Sequence, residues 1–223
     1  MPGTQMTSGS LRPYPIARSV GTYFGAFAEP AFALLGTPAD LYTNLLRHLG
    51  PFGASLSSLS IDTSSPAQAH VACVINEFSS VRIKVTGVEV NVLVSEVGVE
   101  GAHRLVNAAW LAVRTTDSSL KPVTQTLTFQ FWGRVEGETY QEMGRRLAHP
   151  VGGQAPSEIR WSMPAGGASG ALSIAESANE PGGLFTRAVT SFGSESIEEI
   201  APRVRVLLRG WLAELGIDAG EAV

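Results

Sequence analysis

Apolar and polar positions alternate along the chain in two rhythms, one with period two and one with a helical period. Residues 69–77, 80–86 and 88–96 alternate with period two and carry β-branched side chains on one face, which predicts three half-buried strands. A weaker pattern at 56–62 predicts one more strand. Apolar residues then recur at helical spacing over about 99–115, so a helix is expected to follow these strands.

The stretch before these strands predicts one further strand and one helix. Residues 20–36 are aromatic and apolar with a polar break, and we interpret them as a strand that is bent or bulged at Pro30. Thr37 followed by Pro38 has the pattern of a helix N-cap and a first helical residue. Leucines at helical spacing continue this helix until the Gly-Pro pair at 50–51 ends it.

A second series of elements begins near residue 123, where VTQTLTFQFW alternates strictly. This pattern predicts a strand with threonines along one face. Trp132 either shares the phase of the threonines or lies at a bulge before Gly133. The elements expected after this strand are a helix at 137–147, strands at 158–163, 171–177 and 183–192 with a glycine-rich loop at 165–170, and a helix at 196–216.

The two series have nearly the same order of elements. The predicted fold class is α+β, with tandem β-α-β(3-4)-α halves that form one curved antiparallel sheet and pack their helices on one face. The expected divisions are a flexible N-terminal lead-in at 1–18, a first half at 19–117, a second half at 118–217 and a C-terminal tail at 218–223. We interpret the repetition as an internal duplication, which a few matches such as Tyr42 with Tyr140 also favour.

By the order of these elements alone, the chain resembles the duplicated saddle of TATA-binding-protein-like folds. No motif of that family occurs in the sequence. The resemblance therefore implies an architecture and no function.

Composition excludes several classes of function. The formal charge of −4 gives no global attraction for nucleic acid or anionic lipid. One cysteine rules out an intramolecular disulfide and a cysteine-cluster metal site. The sequence has neither an apolar run of membrane-spanning length nor a signal-peptide pattern at its start, so we expect a cytoplasmic protein that does not enter a membrane.

Reactive side chains do not form a recognisable catalytic motif. His70 and Cys73 are three residues apart on a predicted strand, so they point to opposite faces and cannot hold a metal together. His48 and His149 end short helices, where a protonated imidazole interacts favourably with the helix dipole and the free carbonyl groups. His103 stands alone in a predicted helix. The sequence thus predicts no catalytic residue, no metal and no cofactor, and it favours a non-catalytic protein.

The predicted sheet would gather polar side chains from both halves on the face away from the helices. These residues are His70, Asn76, Arg82, Lys84, Glu89, Asn91, Thr124, Thr126, Thr128, Gln130, Arg160 and Arg187. The candidate partner-binding residues among them are Arg82, Lys84, Thr126, Thr128, Gln130 and Arg160. A solvated sheet face without a function has the same pattern.

Our functional hypothesis is a binding or assembly module that receives a protein or peptide on this face. The alternative is an enzyme or small-ligand carrier with a pocket between the sheet and the helices at 99–115 and 196–216. Homo-oligomerisation through sheet edges or faces stays open. Nucleic acid is the least favoured partner, because phosphate affinity scales with lysine and arginine contacts and these residues are few.

Overall fold

The computed structural model describes residues 11–36, 38–150, 152–165 and 168–220, which form α-helices and a large antiparallel sheet. The strands are β1 (Arg12–Pro13), β2 (Ile16–Ala26), β3 (Leu59–Asp62), β4 (His70–Asn76), β5 (Ser79–Lys84), β6 (Gly87–Leu93), β7 (Thr124–Gly133), β8 (Glu158–Ala165), β9 (Ala168–Glu176), β10 (Leu184–Phe192) and β11 (Ile217–Asp218). The helices are α1 (Phe32–Gly36), α2 (Pro38–Leu49), α3 (Val94–Thr116), α4 (Tyr140–Ala148) and α5 (Ile197–Glu214). The chain is therefore a mixed α+β protein, as the sequence predicts.

Within the described ranges, nine strands form one sheet in the order β3-β4-β5-β6-β2-β7-β10-β9-β8. The first strand of each half pairs with the last strand of that half, and the remaining strands follow outward in descending order. The halves meet where β2 pairs antiparallel with β7, from Ile16 opposite Gly133 to Ala26 opposite Thr124. This is the order that a duplication requires, and duplication itself stays a prediction.

The helices pack on one face of the sheet. Valines of β6 and the ring of Tyr23 in β2 point towards α3, whose Trp110 is buried against Phe27 in an edge-to-face contact of 5.8 Å. Helix α5 places Trp211 over Gly170 of β9. Helix α2 packs on α3, and α4 is joined to the end of α5 by Arg146, which donates to the carbonyl of Leu215. The face opposite the helices is left without a helix in the described ranges.

The chain around Pro30 differs from the prediction. Residues 32–36 form the short helix α1, whereas the sequence suggested that the strand continues to residue 36. The amide of Ala31 donates to the carbonyl of Val85 at 2.7 Å, which holds the chain at the end of β5 and turns Leu34 into the core. The strand therefore ends at Ala26. The predicted N-cap Thr37 lies outside the described residues.

Two other element boundaries differ from those predicted from the sequence. Helix α3 begins at Val94, so the end of the predicted strand at 88–96 is helical, and the helix contains a non-helical residue at Gly98 with φ of 72°. Within the predicted lead-in, Arg12 and Pro13 form β1, which pairs parallel with β11 near the C-terminus. Strand β2 already begins at Ile16. None of the helices in the described part of the chain is long and apolar enough to cross a membrane.

Candidate functional site

We call the sheet face that carries no helix in the described ranges the open face. Residue pairing across the strands places all but one of the predicted polar residues on it, including all six candidate partner-binding residues. The exception is Asn76. A bulge between Val74 and Asn76 reverses the phase at the end of β4, and the Asn76 side chain accepts a hydrogen bond from the amide of Phe78 in its own turn.

Glu89 is the centre of a charged cluster on the first half of the open face. Arg82 and Lys84 on the neighbouring strand donate to its two oxygens at 3.2 and 2.5 Å, and Asn91 donates at 3.0 Å. Burial by itself raises the pKa of Glu89, but the hydrogen bonds and charges of Lys84, Asn91 and Arg82 outweigh it and lower the pKa. The cluster holds one net positive charge in a fixed arrangement.

An aromatic cluster occupies the centre of one end of the open face. Trp132 of β7 pairs with Phe185 of β10, and their ring centroids are 5.1 Å apart. The guanidinium of Arg18 lies 5.6 Å from the centroid of the Trp132 ring, within the range of a cation–π interaction. A bulge in β2 between Ile16 and Arg18 puts this arginine opposite the tryptophan.

Trp132 therefore shares the phase of the threonines, and the bulge at this level of the sheet lies in β2, opposite Trp132 and Gly133, rather than in β7. Sequence reasoning missed both neighbours of this tryptophan. Arg18 falls in the segment interpreted as a lead-in, and Phe185 is one of two adjacent apolar residues, so its face cannot be read from alternation. The signal that could have identified Phe185 is the alternate phase it shares with Arg187 and Val189.

A row of small polar side chains connects the two clusters across the middle of the sheet. Asn91, Thr22 and Thr128 lie in register on three adjacent strands, and Thr22 donates to Asn91 at 2.9 Å. Thr126 lies 3.4 Å from the hydroxyl of Ser191 on β10. These side chains are half-buried and offer hydroxyl and amide groups at regular strand spacing.

The outer strands of the second half add another charged group. Arg160 donates to Glu158 at 3.2 Å, and both side chains are exposed. Hydrogen bonds from Ser173 and Arg160 lower the pKa of Glu158, and the charge of Arg187 contributes. Arg187 itself makes no ion pair within 4 Å among the described residues.

Charge is distributed unevenly between the open face and the rest of the molecule. The cationic residues of this face are Arg18, Arg82, Lys84, Arg160 and Arg187, and its carboxylates are Asp62, Glu89 and Glu158. Cations are in excess there, although the whole chain has a formal charge of −4. The open face is therefore locally positive on an acidic protein.

The opposite side of the sheet holds a different feature, an apolar cavity beneath the two long helices. It has a volume of about 70 Å³, and its walls are residues 21–23 of β2, valines of β6, leucine and phenylalanines of β7, and apolar residues of α3 and α5. His103 of α3, Arg205 of α5 and the phenol of Tyr23 are the ionisable groups among the residues that line it. The cavity lies where the alternative hypothesis placed a pocket.

His103, one of the lining residues of this cavity, lies beside Asn107 of α3. His103 Nε2 lies 3.4 Å from the amide nitrogen of Asn107, which in turn donates to Glu198 at 2.7 Å. Among the described residues, no three histidine, cysteine, aspartate or glutamate side chains come together as a metal site. Cys73 is buried in the core, and burial raises its pKa to about 11.

Comparison with known proteins does not add a function. Neither the family models nor the curated proteins compared with this sequence give a match.

Proposed function

We propose that the protein is a binding module whose open face receives a protein partner with an acidic, partly apolar surface. The observation that carries the proposal is a continuous, helix-free sheet face with an excess of positive charge on an otherwise acidic chain. Complementary charge steers association and selects partners. The expected partner surface contributes carboxylates towards the arginines and an apolar side chain towards Trp132.

The size of the open face is sufficient for such a partner. At about 4.8 Å between strands, nine strands span roughly 40 Å, and seven residues of strand extend roughly 23 Å. The face thus offers on the order of 900 Å². A stable protein–protein interface takes about 800 Å² from each partner.

The aromatic cluster has the composition of an interface anchor. Tryptophan and arginine are enriched among the residues that carry most of the binding energy at interfaces. Trp132 is held between Arg18 and Phe185 by contacts on both sides. A side chain fixed in this way loses little conformational entropy when a partner covers it.

Single-stranded nucleic acid is less well matched to the same residues. Such a ligand needs several unpaired cations along its backbone in addition to stacking rings. Arg82 and Lys84 already share Glu89, and Arg160 is paired with Glu158. We therefore favour a protein partner and treat nucleic acid as an outcome of the test.

Site-specific photo-crosslinking in the native cells tests the proposal. A benzophenone amino acid replaces Thr128 on the open face in one variant and Leu111 on the exposed side of α3 in a control variant. We expect a crosslinked protein at residue 128 that is absent at residue 111, with an acidic crosslinked segment. Identical crosslinked species at the two positions would refute the proposal, as would a second copy of this chain or RNA at residue 128.

A charge-swap variant provides the second half of the test. R82E/K84E/E89R inverts the charge of the Glu89 cluster and retains its ion pairs, so the fold should persist. The control R104E/K121E reverses two exposed cations outside the open face. We expect the swap to abolish the crosslink at residue 128 and the control to preserve it. An undiminished crosslink in the swap variant would contradict a charge-guided interface.

We also propose that the halves arose by duplication, as the matching pairing order within each half suggests. The likeness to TATA-binding-protein-like saddles remains one of element order. Aligning the two halves across many related sequences would test the duplication, because common ancestry predicts matching core positions in β2 with β7 and in β6 with β10. The cytoplasmic location stays a prediction from the sequence.

A further inference from the structure

The apolar cavity beneath α3 and α5 continues towards the surface. A second hollow of about 260 Å³ adjoins it and is lined by Ile16, Ser19, Val94, Ser95, Gly98, Val99 and Arg205. Val94, Val99 and Arg205 line both spaces. The inner space is almost wholly apolar and the outer space is mixed, so polarity rises from the core towards solvent.

The outer hollow is lined by one buried polar side chain, Ser19. Ser19 is only 2% exposed, and its hydroxyl makes no hydrogen bond to another described residue. A buried hydroxyl in this situation is normally satisfied by water or a ligand. Because Ser19 lines the hollow, its hydroxyl is available to a molecule that enters it.

Arg205 provides the charge of this site. Arg203, two residues earlier in α5, is paired with Glu195 at 3.4 Å, whereas Arg205 has no ion-pair partner among the described residues. Glu198 is the nearest carboxylate along the face of α5, but it lies seven residues away, about 10 Å along the helix, and is held by Asn107. The guanidinium is therefore free to bind an anion at the boundary of the two spaces.

We propose that these two spaces form one ligand site for a small amphipathic anion, a medium-chain carboxylate. The hydrocarbon chain reaches from the outer hollow into the apolar cavity, and the carboxylate accepts hydrogen bonds from Arg205 and Ser19. Arginine binds carboxylates through two parallel N–H groups, and this geometry suits a ligand held at one end.

The size and lining of the site select this class. Small-molecule sites are mostly apolar, with a few polar groups that orient the ligand. The inner cavity, of about 70 Å³, is smaller than a cavity of about 150 Å³ that accommodates benzene in another protein, so it takes only the end of the chain, and the rest lies in the outer hollow of about 260 Å³. An exposed cation at the entrance disfavours a cationic amphiphile.

Titration of the purified chain with ¹³C-carboxyl octanoate, followed by NMR, tests the site. We expect a saturable shift of the carboxyl resonance. The R205Q variant should weaken octanoate binding about tenfold and leave binding of neutral octanol unchanged, because only the ionic contact is lost. Arg205 is exposed, so this substitution leaves the core intact.

Two further variants make the result specific. R104Q removes an exposed arginine of α3 that does not line either space, and it should bind octanoate as the wild type does. A102L fills the inner cavity and should weaken octanoate and octanol together. Absence of saturable octanoate binding by the wild type, or equal binding by R205Q and R104Q, would overturn the proposal. The open-face swap variant should bind octanoate normally, which separates this site from the partner-binding surface.

Discussion

The phenol of Tyr23 donates a hydrogen bond of 2.8 Å to the side-chain oxygen of Gln125, across the junction of β2 and β7. The same phenol oxygen accepts a hydrogen bond of 2.7 Å from the indole of Trp110 in α3. Gln125 in turn donates to the carbonyls of Gly193 and Glu195, just before α5. Burial raises the pKa of Tyr23, which keeps the phenol protonated and able to donate. One buried network thus connects both halves.

Substitution Y23F should destabilise the protein by about 1–3 kcal/mol, because it leaves the Trp110 indole and the Gln125 oxygen without their buried partner. Urea denaturation measures the difference. The matched control is Y42F at a half-buried position of α2 without a side-chain hydrogen bond to described residues, and its effect should stay within about 0.5 kcal/mol. Equal losses for the two variants would contradict the role of the network.

Glycine-to-alanine substitutions should change stability with opposite sign at two positions. A methyl group at Gly25 would meet the Tyr23 hydroxyl and lie 2.6 Å from Trp110, and overpacking of this kind costs about 1–3 kcal/mol. At Gly210, inside α5, a methyl group meets nothing within 4 Å, so alanine should stabilise the helix by about 0.5–1 kcal/mol. Thermal unfolding of both variants checks this. A stabilising G25A would show that β2 does not approach α3 as closely as described.

Glu138 should make stability depend on acid pH. This buried carboxylate accepts hydrogen bonds from Arg146 at 2.9 and 3.0 Å and pairs with Arg12. Burial by itself raises the pKa of Glu138, but the two arginines outweigh it and lower the pKa below its usual 4.5. The native state then binds fewer protons than the unfolded state. The stabilisation is complete above pH 4.5 and is lost as the pH falls through the lower folded-state value.

Substitution E138Q should therefore lower the free energy of unfolding at pH 7 by about 1–3 kcal/mol and weaken its decline towards pH 3. Denaturant unfolding at several pH values measures both effects. E136Q is the control, since Glu136 is exposed and pairs with no described residue. An unchanged acid dependence in E138Q would assign the effect to other carboxylates.

Cys73 should react slowly in the native protein. Its side chain is 1% exposed, and burial raises its pKa to about 11. Little of the thiol is therefore ionised, and an alkylating reagent cannot easily reach it. We expect little modification by iodoacetamide at pH 8 and full modification in concentrated urea, as read by mass spectrometry. Rapid native modification would mean that β4 opens easily.

The alternation of residues made the faces of several strands predictable before the structure. Arg82 and Thr128 lie on the open face because a strand turns successive side chains to opposite sides, and this periodicity needs no tertiary information. The order of the principal helices and strands follows from the same two periods. Hydrophobic pattern therefore predicted the elements and the candidate surface.

Features that depend on register or packing could not be predicted in this way. A single bulge removes Asn76 from the open face, and another places Arg18 on Trp132. The ion pairs of Glu89 depend on which strands are neighbours. The apolar cavity depends on the distance at which α3 and α5 settle on the sheet, and no local pattern encodes that distance.

The long pairing between β2 and β7 has a consequence for how the chain could be divided. A cut between Asp117 and Val123, in the segment that links α3 to β7, would leave two fragments, each with one long strand lacking its neighbour. An exposed edge of this length is a template for another strand. Two such fragments, produced separately and mixed, should reassemble through that edge, and the protein would then serve as a split reporter whose signal depends on fragment association.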